Sequence, residues 1–460
     1  MSSVPTSIEQ QLADSGQSHL LHFWDELDEN AQAKLVEQIA SIDFVQLSKL
    51  LNVMKSCHED VQEDPISPSP FVSTGASEVD WKKVEQEGEA FIRLGKLGVL
   101  TVAGGQGTRL GWSGPKGTFP ATPVTGKSLF QMIAEQIQFA SQKYQVAIPW
   151  YIMTSIENDK ITKSFLLDNN CFGLQRTDIF VFPQGVVPAV DRDGKILLAS
   201  RDEIFMNPDG HGGVISALKR SGGLEEMESR GIEHIAYVQV DNPLVKVVDP
   251  VFLGLHCSNH SSGEVSSKCV LKTDPSERVG VFCKRGESTS IIEYSDMTIE
   301  QTQEQTIDGK LSYCCGSIAA HLISTSFIDR VVSDLPWHVA YKAIPYIDLS
   351  SSKIVSPKEP NAYKFERFIF DIIPFATNSL VVETKREEEF APIKNATGND
   401  SPQTSKQLQR NRAAAWLQRR GVEVPLRAMV EISPTTAASP EDIPEELLPK
   451  HINPDETVLL

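Results

Sequence analysis

The apolar run Leu97 to Val102 leads straight into Ala103-Gly104-Gly105-Gln106-Gly107-Thr108-Arg109-Leu110-Gly111, and Pro115-Lys116-Gly117 follows. A buried strand ending in a glycine-rich loop restricts the fold more than any other stretch of this chain. Such loops lie at the carboxyl ends of strands in α/β sheets, where ligands bind. Glycines let backbone N–H groups approach oxyanions, and one Arg and one Lys at fixed offsets neutralise charge on the same ligand. The loop is therefore expected to hold a phosphate chain. Two common phosphate-loop patterns do not fit. The dinucleotide fingerprint G-x-G-x-x-G fails at Leu110, which stands in its last position. The P-loop G-x-x-x-x-G-K-[ST] finds its end in Gly126-Lys127-Ser128, but Ala121 stands where its first Gly belongs.

The surrounding pattern extends the α/β expectation. Strand-like runs at 97–103, 148–153, 179–183 and 234–240 alternate with helical stretches near 128–145, 157–170 and 213–230. That alternation predicts a mostly parallel sheet. Val265 to Leu271, Val279 to Cys283, Ser290 to Tyr294 and Tyr313 to His321 read as further strands, partly antiparallel. Phe368 and Phe370 alternate on another expected strand. Residues 6–56 carry Leu20, Phe23, Trp24, Leu27, Leu35, Ile39, Leu47 and Leu50 at helical spacing, with Ser18 and Asp43 as caps. The Pro- and Ser-rich stretch 57–76 reads as a linker, and helices are expected at 79–93 and 403–420. The last forty residues carry no pattern that places an element.

Composition narrows the function classes. A chain of 460 residues with 40% hydrophobic content can bury a sizeable core. A formal net charge of -18 argues against general binding to nucleic acid or anionic membrane, while a nucleotide needs only a local cluster of cations. Seven cysteines without a C-x-x-C pair point to a reducing cytoplasm. The N-terminus lacks a signal pattern, and no apolar run reaches membrane-spanning length. The ten histidines include no H-E-x-x-H motif, and the chain has no C-x-x-C pair to complete a zinc set with His256 and His260, so no zinc site is expected. Asp241 ends the apolar run Ile235 to Val240, a position suited either to Mg²⁺ or to capping the turn at Asn242-Pro243.

The sequence G-G-x-G-T-R-L-G followed by P-K-G resembles the signature of sugar nucleotidyltransferases, most closely the eukaryotic-type UDP-sugar pyrophosphorylases. Further stretches match the UDP-N-acetylhexosamine branch in order: Pro149 to Ser155, Gln184-Gly185, Pro208 to Gly213, Val240-Asp241-Asn242, Gly280-Val281, Glu293-Tyr294-Ser295, Phe368 to Ile372 and Lys394-Asn395. The resemblance implies an α/β fold: a Rossmann-like nucleotidyltransferase domain with a mixed, mostly parallel central sheet. It also implies an N-terminal helical region with its linker (1–76), a catalytic domain (77–400) and a small C-terminal region (401–460). The implied activity is a Mg²⁺-dependent uridylyltransferase that turns UTP and a sugar 1-phosphate into a UDP-sugar and pyrophosphate. A nucleotide-sugar-binding regulatory protein without catalysis is the alternative.

The same resemblance assigns site residues. Arg109, Lys116 and Lys394 become cations on the reacting phosphates, and Asp241 the metal-associated carboxylate. Ala103, Gly104 and Gly105 join the substrate-binding set, with Gln184 and Gly210 on the uridine side. His211, Asn242, Gly280, Glu293, Ser317 and Phe370 complete that set. Two positions depart from the N-acetylglucosamine pattern, where His211 and Ser317 each replace an Asn. The uridylyl half is thus kept and the sugar half altered. The expected sugar is a hexose 1-phosphate such as glucose 1-phosphate or N-acetylglucosamine 1-phosphate, without strong preference for the acetylated one.

Overall fold

The computed structural model describes residues 4–56 and 65–460. The chain forms two compact units. The smaller takes the described residues of 1–63 together with Gln184–Val214 and Asp334–Ile369. The larger takes those of 64–183 with Ile215–Ser333 and Phe370–Leu460.

In the smaller unit, helices α1 (Thr6–Asp14), α2 (Glu29–Ala40) and α3 (Phe44–Ser56) realise the helical periodicity. Asp43 accepts the Gln46 N–H at 2.9 Å, as expected of a cap. Asp28 does the same for α2 through Ala31. Ser18 is not a cap. It lies inside the 3₁₀ turn Ser18–Leu21, and the side chain of Gln17 before it bonds Gly194 and Ile196 instead. Leu12, Leu20, Leu35, Ile39, Leu47 and Leu50 bury their stripe against Val190, Ile196, Leu198 and Phe365. A three-stranded antiparallel sheet joins His338–Lys342, Ala362–Glu366 and Val190–Asp191.

The larger unit is built on a ten-stranded mixed sheet. Its strands are β1 (Ile66–Pro68), β2 (Leu97–Val102), β3 (Trp150–Thr154), β4 (Ile179–Pro183) and β5 (His234–Gln239). They continue as β6 (Val265–Leu271), β7 (Val281–Arg285), β8 (Ser288–Ile292), β9 (Cys315–Ser324) and β10 (Leu380–Glu383). Strands β5, β2, β3 and β4 are neighbours in that order and all parallel. Both faces of β2 and β3 are buried, which is why they read as unbroken apolar runs. Strand β9 runs antiparallel to β5, β6 and β7, and β10 joins β6 in parallel. Helices α4 (Trp81–Arg93), α5 (Leu129–Tyr144) and α6 (Ile156–Asp168) fall where helical periodicity placed them.

Several expectations shift. The helix expected over 213–230 is two, Gly213–Arg220 and Gly223–Ser229, parted at Gly222 with φ 78°. No strand carries Phe368 and Phe370; a 3₁₀ helix, Ile369–Phe375, starts between them and contains Pro374, which cannot donate to a ladder. Of the stretch read as a linker, 57–64 lies outside the described residues, as does Met1–Ser3 at the N-terminus. Its remainder is ordered into the sheet: β1 pairs with β7, and Val72 donates its N–H to Val381 at 2.9 Å.

The last forty residues share a small core with the helix that precedes them. Trp416 and Leu417 of the helix Pro402–Arg419 pack on Ala428, Val430, Ile443, Ile452 and Val458. Among the described residues no helix is long and apolar enough to cross a membrane.

Candidate active site

The glycine-rich loop leaves β2 at Ala103, which is buried and donates its N–H to Met153 of β3 at 2.8 Å. The loop then closes on itself. Lys116 donates its N–H to Gly105 at 3.0 Å, and Gly107 donates its own to Gly114 at 2.9 Å. The Asn158 amide, at the start of α6, donates to Gly104 at 3.0 Å. Asn158 is fully buried and was not singled out in the sequence; its only signal is a polar residue in the first turn after β3. Gly117 has no room for a side chain, since a Cβ there would lie 2.2 Å from the Phe130 ring. The backbone is thereby fixed so that Arg109 projects from the short turn Thr108–Leu110 into solvent. Among the described residues no ion pair engages Arg109.

Lys116 is largely buried, and its ammonium lies 3.0 Å from Oδ2 of Asp241. Asp241 follows the end of β5, the parallel neighbour of β2, so the topology brings them together. The other P-loop-like fragment is used up structurally. Lys127 pairs with Glu135 at 2.6 Å, and Ser128 caps α5 through Gln131.

The segment carrying Lys394 is tied to the same strand end. Ile393 donates its N–H to the Asp241 carbonyl at 2.9 Å. The Asn242 side chain holds the preceding turn from both ends, donating to the Glu389 carbonyl at 2.7 Å and accepting from Ala391 N–H at 3.0 Å. Asn242 is buried, and both ends of its amide are committed to this staple. Lys394 itself is exposed, and among the described residues it joins no ion pair. Behind the turn, Lys268 is enclosed by Asp249 and Glu389 at 2.6 Å each. Lys268 holds the Asp249 carboxyl well below the usual range, against the opposing effect of its burial.

A second group lies on the antiparallel half of the sheet. Ser317 of β9 donates its N–H to Gly280 at 2.8 Å. A Cβ built on Gly280 would come within 2.8 Å of Ile291 and 3.4 Å of Glu293 Oε1. Ser317 sits beside an irregularity: Ser267 faces His321 but Cys269 faces Ser317, and Ala319 between them has φ 54°. Such bulges re-aim side chains next to sites.

Within the smaller unit, Gln184 is buried just beyond β4, and Gly185 accepts the Asp209 N–H at 3.0 Å. The loop Pro208 to Gly213 lies flat on Arg367 and Phe368. Gly210, at φ 82°, would place a Cβ 2.4 Å from the Arg367 carbonyl, and Gly212 donates to that carbonyl at 2.8 Å. His211 accepts the Ile369 N–H at Nδ1, 3.1 Å away, and stacks on Phe368 with centroids 5.3 Å apart. An accepting Nδ1 leaves the ring proton on Nε2. Gly210 and Gly212 are thus set by backbone contact. Phe370, in the larger unit, is half-buried on the 3₁₀ helix.

The six described cysteines are free thiols. No group of three or more His, Cys, Asp or Glu among the described residues could hold a metal ion.

Residues 43–409 match the family described as UTP–glucose-1-phosphate uridylyltransferase. The chain is 36% identical over 432 residues to UDP-N-acetylhexosamine pyrophosphorylase-like protein 1 of Xenopus tropicalis, covering 89% of this chain and 84% of that protein. It is 34% identical to the UDP-N-acetylglucosamine pyrophosphorylase of Saccharomyces cerevisiae, over 95% of this chain and 96% of the relative. Its fold is similar to the crystal structure of the Trypanosoma brucei uridine diphosphate N-acetylglucosamine pyrophosphorylase in complex with inhibitor. That match has a TM-score of 0.82 and 27% identity, and covers 100% of this chain and 99% of the other.

Proposed function

The chain belongs to the UTP–glucose-1-phosphate uridylyltransferase family, and on that premise we propose that it transfers the uridylyl group of UTP to a sugar 1-phosphate. The sugar phosphate oxygen attacks the α-phosphorus; the new P–O bond forms as the bond to pyrophosphate breaks. Two anions must meet, so charge neutralisation and positioning carry the catalysis. Arg109 is assigned to the departing pyrophosphate, where negative charge grows. Lys116 serves the phosphate under attack, and Lys394 adds a cation from the turn that Asn242 staples. The observation that carries this reading is the Lys116–Asp241 pair, which joins the phosphate loop to the end of a neighbouring parallel strand.

We assign Mg²⁺ to the reaction as well. A single carboxylate, Asp241, fits an ion that Mg²⁺ proteins commonly hold through one or two carboxylates plus substrate phosphates. Bound there, the ion would supply Lewis-acid charge to the phosphoryl oxygens. The relatives favour N-acetylglucosamine 1-phosphate as sugar substrate, and Ser317 favours acceptance of an unacetylated hexose beside it. The cytoplasm suits this chemistry and the cysteine pattern. Pyrophosphate release from UTP with a panel of hexose 1-phosphates tests the reading; no release with any of them would overturn it.

A further inference from the structure

Two lysines on and beside β6 are buried, and only one is neutralised. Lys268, 3% exposed, is enclosed by Asp249 and Glu389. Lys272, directly after the strand, is 5% exposed, and among the described residues it forms no ion pair. The two carboxylates that attract it are engaged elsewhere. Glu277 takes Arg386 at 2.7 Å, and Asp274 accepts both the N–H and the O–H of Ser276 at 2.8 Å. Burial accordingly lowers the Lys272 pKa despite those carboxylates. An ammonium held out of water with no carboxylate in direct contact is unfavourable, and an anion placed on it would offset that cost.

The neighbours identify which anion. The Lys272 N–H donates to the Cys314 carbonyl at 2.8 Å, and its Cγ lies 3.4 Å from where a Gly316 Cβ would stand. Ser317 is the next residue, bonded to Gly280, with Glu293 against that glycine. Lys272 therefore belongs with the residues assigned to the sugar rather than with Arg109 and the glycine-rich loop. We propose that Lys272 binds the phosphate of the incoming sugar 1-phosphate. This rests on the uridylyltransferase reading and adds a cation that the sequence motifs did not include.

The test compares wild type, Lys272→Met and Lys272→Arg by pyrophosphate release, varying UTP and hexose 1-phosphate separately. Lys272→Met is expected to raise KM for the sugar 1-phosphate by about tenfold or more, with KM for UTP within about twofold. Lys272→Arg should recover part of that loss. The melting temperature of ligand-free Lys272→Met should equal or exceed wild type, because an unpaired buried charge has been removed. An unchanged KM for the sugar 1-phosphate would overturn the proposal. So would equal rises in both KM values together with a lower melting temperature, which mark a structural lysine. If Lys272→Met does not fold, Lys272→Arg decides by the same KM comparison. If wild type releases no pyrophosphate, the uridylyltransferase reading fails by itself. Calorimetric titration of glucose 1-phosphate into wild type and Lys272→Met then decides, and equal affinities overturn the role of Lys272.

Discussion

Lys116 Nζ stands 3.0 Å from Asp241 Oδ2, linking the loop after β2 to the end of β5. Both side chains are about five-sixths buried, at 16% and 15% exposure, so water screens the pair only in part. Asp241 thereby orients Lys116 before any phosphate arrives. Asp241→Asn removes the formal charge that faces Lys116 and, on the proposed reading, would hold Mg²⁺. Activity of Asp241→Asn should need far more Mg²⁺ than wild type, with kcat lower by about 10²-fold even at saturation. The measurement is rate against Mg²⁺ concentration; superimposable curves would reduce Asp241 to a turn residue.

Arg109 projects into solvent and among the described residues joins no ion pair, so its removal should leave the fold intact. Arg109→Ala is expected to change stability by less than about 0.5 kcal/mol. Its kcat should fall about 10²-fold or more, the loss seen when one preorganised electrostatic donor is removed. Urea unfolding and steady-state kinetics on the same preparation check both halves. Activity within threefold of wild type would take Arg109 out of the site.

Asn242 and Lys394 should separate structure from charge. Asn242→Ala strands the buried Glu389 carbonyl and Ala391 N–H, at a cost of about 1–3 kcal/mol for each group left unsatisfied. It should lower both melting temperature and turnover, because the turn that presents Lys394 loosens. Lys394→Ala, on the exposed side of that turn, should lower turnover alone. A Lys394→Ala enzyme that loses stability in step with Asn242→Ala would contradict the division.

Acid should weaken the larger unit through His256. This ring is fully buried, bonded to Ser266 Oγ at 2.8 Å and to the His234 ring at 3.2 Å. Burial pulls its pKa down to about 3, with the His234 ring adding a smaller push the same way. The folded state therefore resists a proton that the unfolded chain takes up near the ordinary histidine value of about 6.5. Stability should be unaffected by His256 above that value and fall by about 1.4 kcal/mol per pH unit below it, until the folded pKa is reached. Urea titrations at pH 7 and pH 5.5 measure this. His256→Gln, with no proton to take up, should flatten the slope; an unchanged slope would assign the acid sensitivity elsewhere.

If Ser317 faces the sugar as proposed, it should set the sugar preference. Serine cannot offer both a carbonyl and an amide at asparagine's reach, and a missing hydrogen bond is worth about 0.5–1.5 kcal/mol. That corresponds to roughly tenfold in discrimination. Wild type should favour N-acetylglucosamine 1-phosphate over glucose 1-phosphate by less than about a hundredfold in kcat/KM, and Ser317→Asn should raise that ratio. A larger wild-type preference would show that other residues read the acetyl group.

The parallel half of the sheet was legible because β2 and β3 are buried on both faces and their apolar runs are unbroken. Strands β7 and β8 came out about two residues displaced, since partly exposed hairpins carry weaker patterning. The break at Gly222 looked like the interior of one helix because apolar spacing continues across it. Gly104, Gly105, Lys116 and Asp241 were visible as motif residues. What the sequence hid was their connection. Asn158, the staple through Asn242 and the buried Lys272 owe their meaning to contacts across segments distant in the chain. The Pro- and Ser-rich stretch before α4 looked like a linker because β1, at the edge, spans only three residues.

The central claim is uridylyl transfer, and pyrophosphate release tests it most directly. Purified protein with Mg²⁺, UTP and N-acetylglucosamine 1-phosphate or glucose 1-phosphate should release one pyrophosphate per UDP-sugar formed. Replacing UTP by ATP or GTP should reduce the rate by at least about tenfold. Stoichiometric release that requires both substrates is the result expected. UTP consumption independent of the sugar phosphate, or none with any hexose 1-phosphate, would contradict the account.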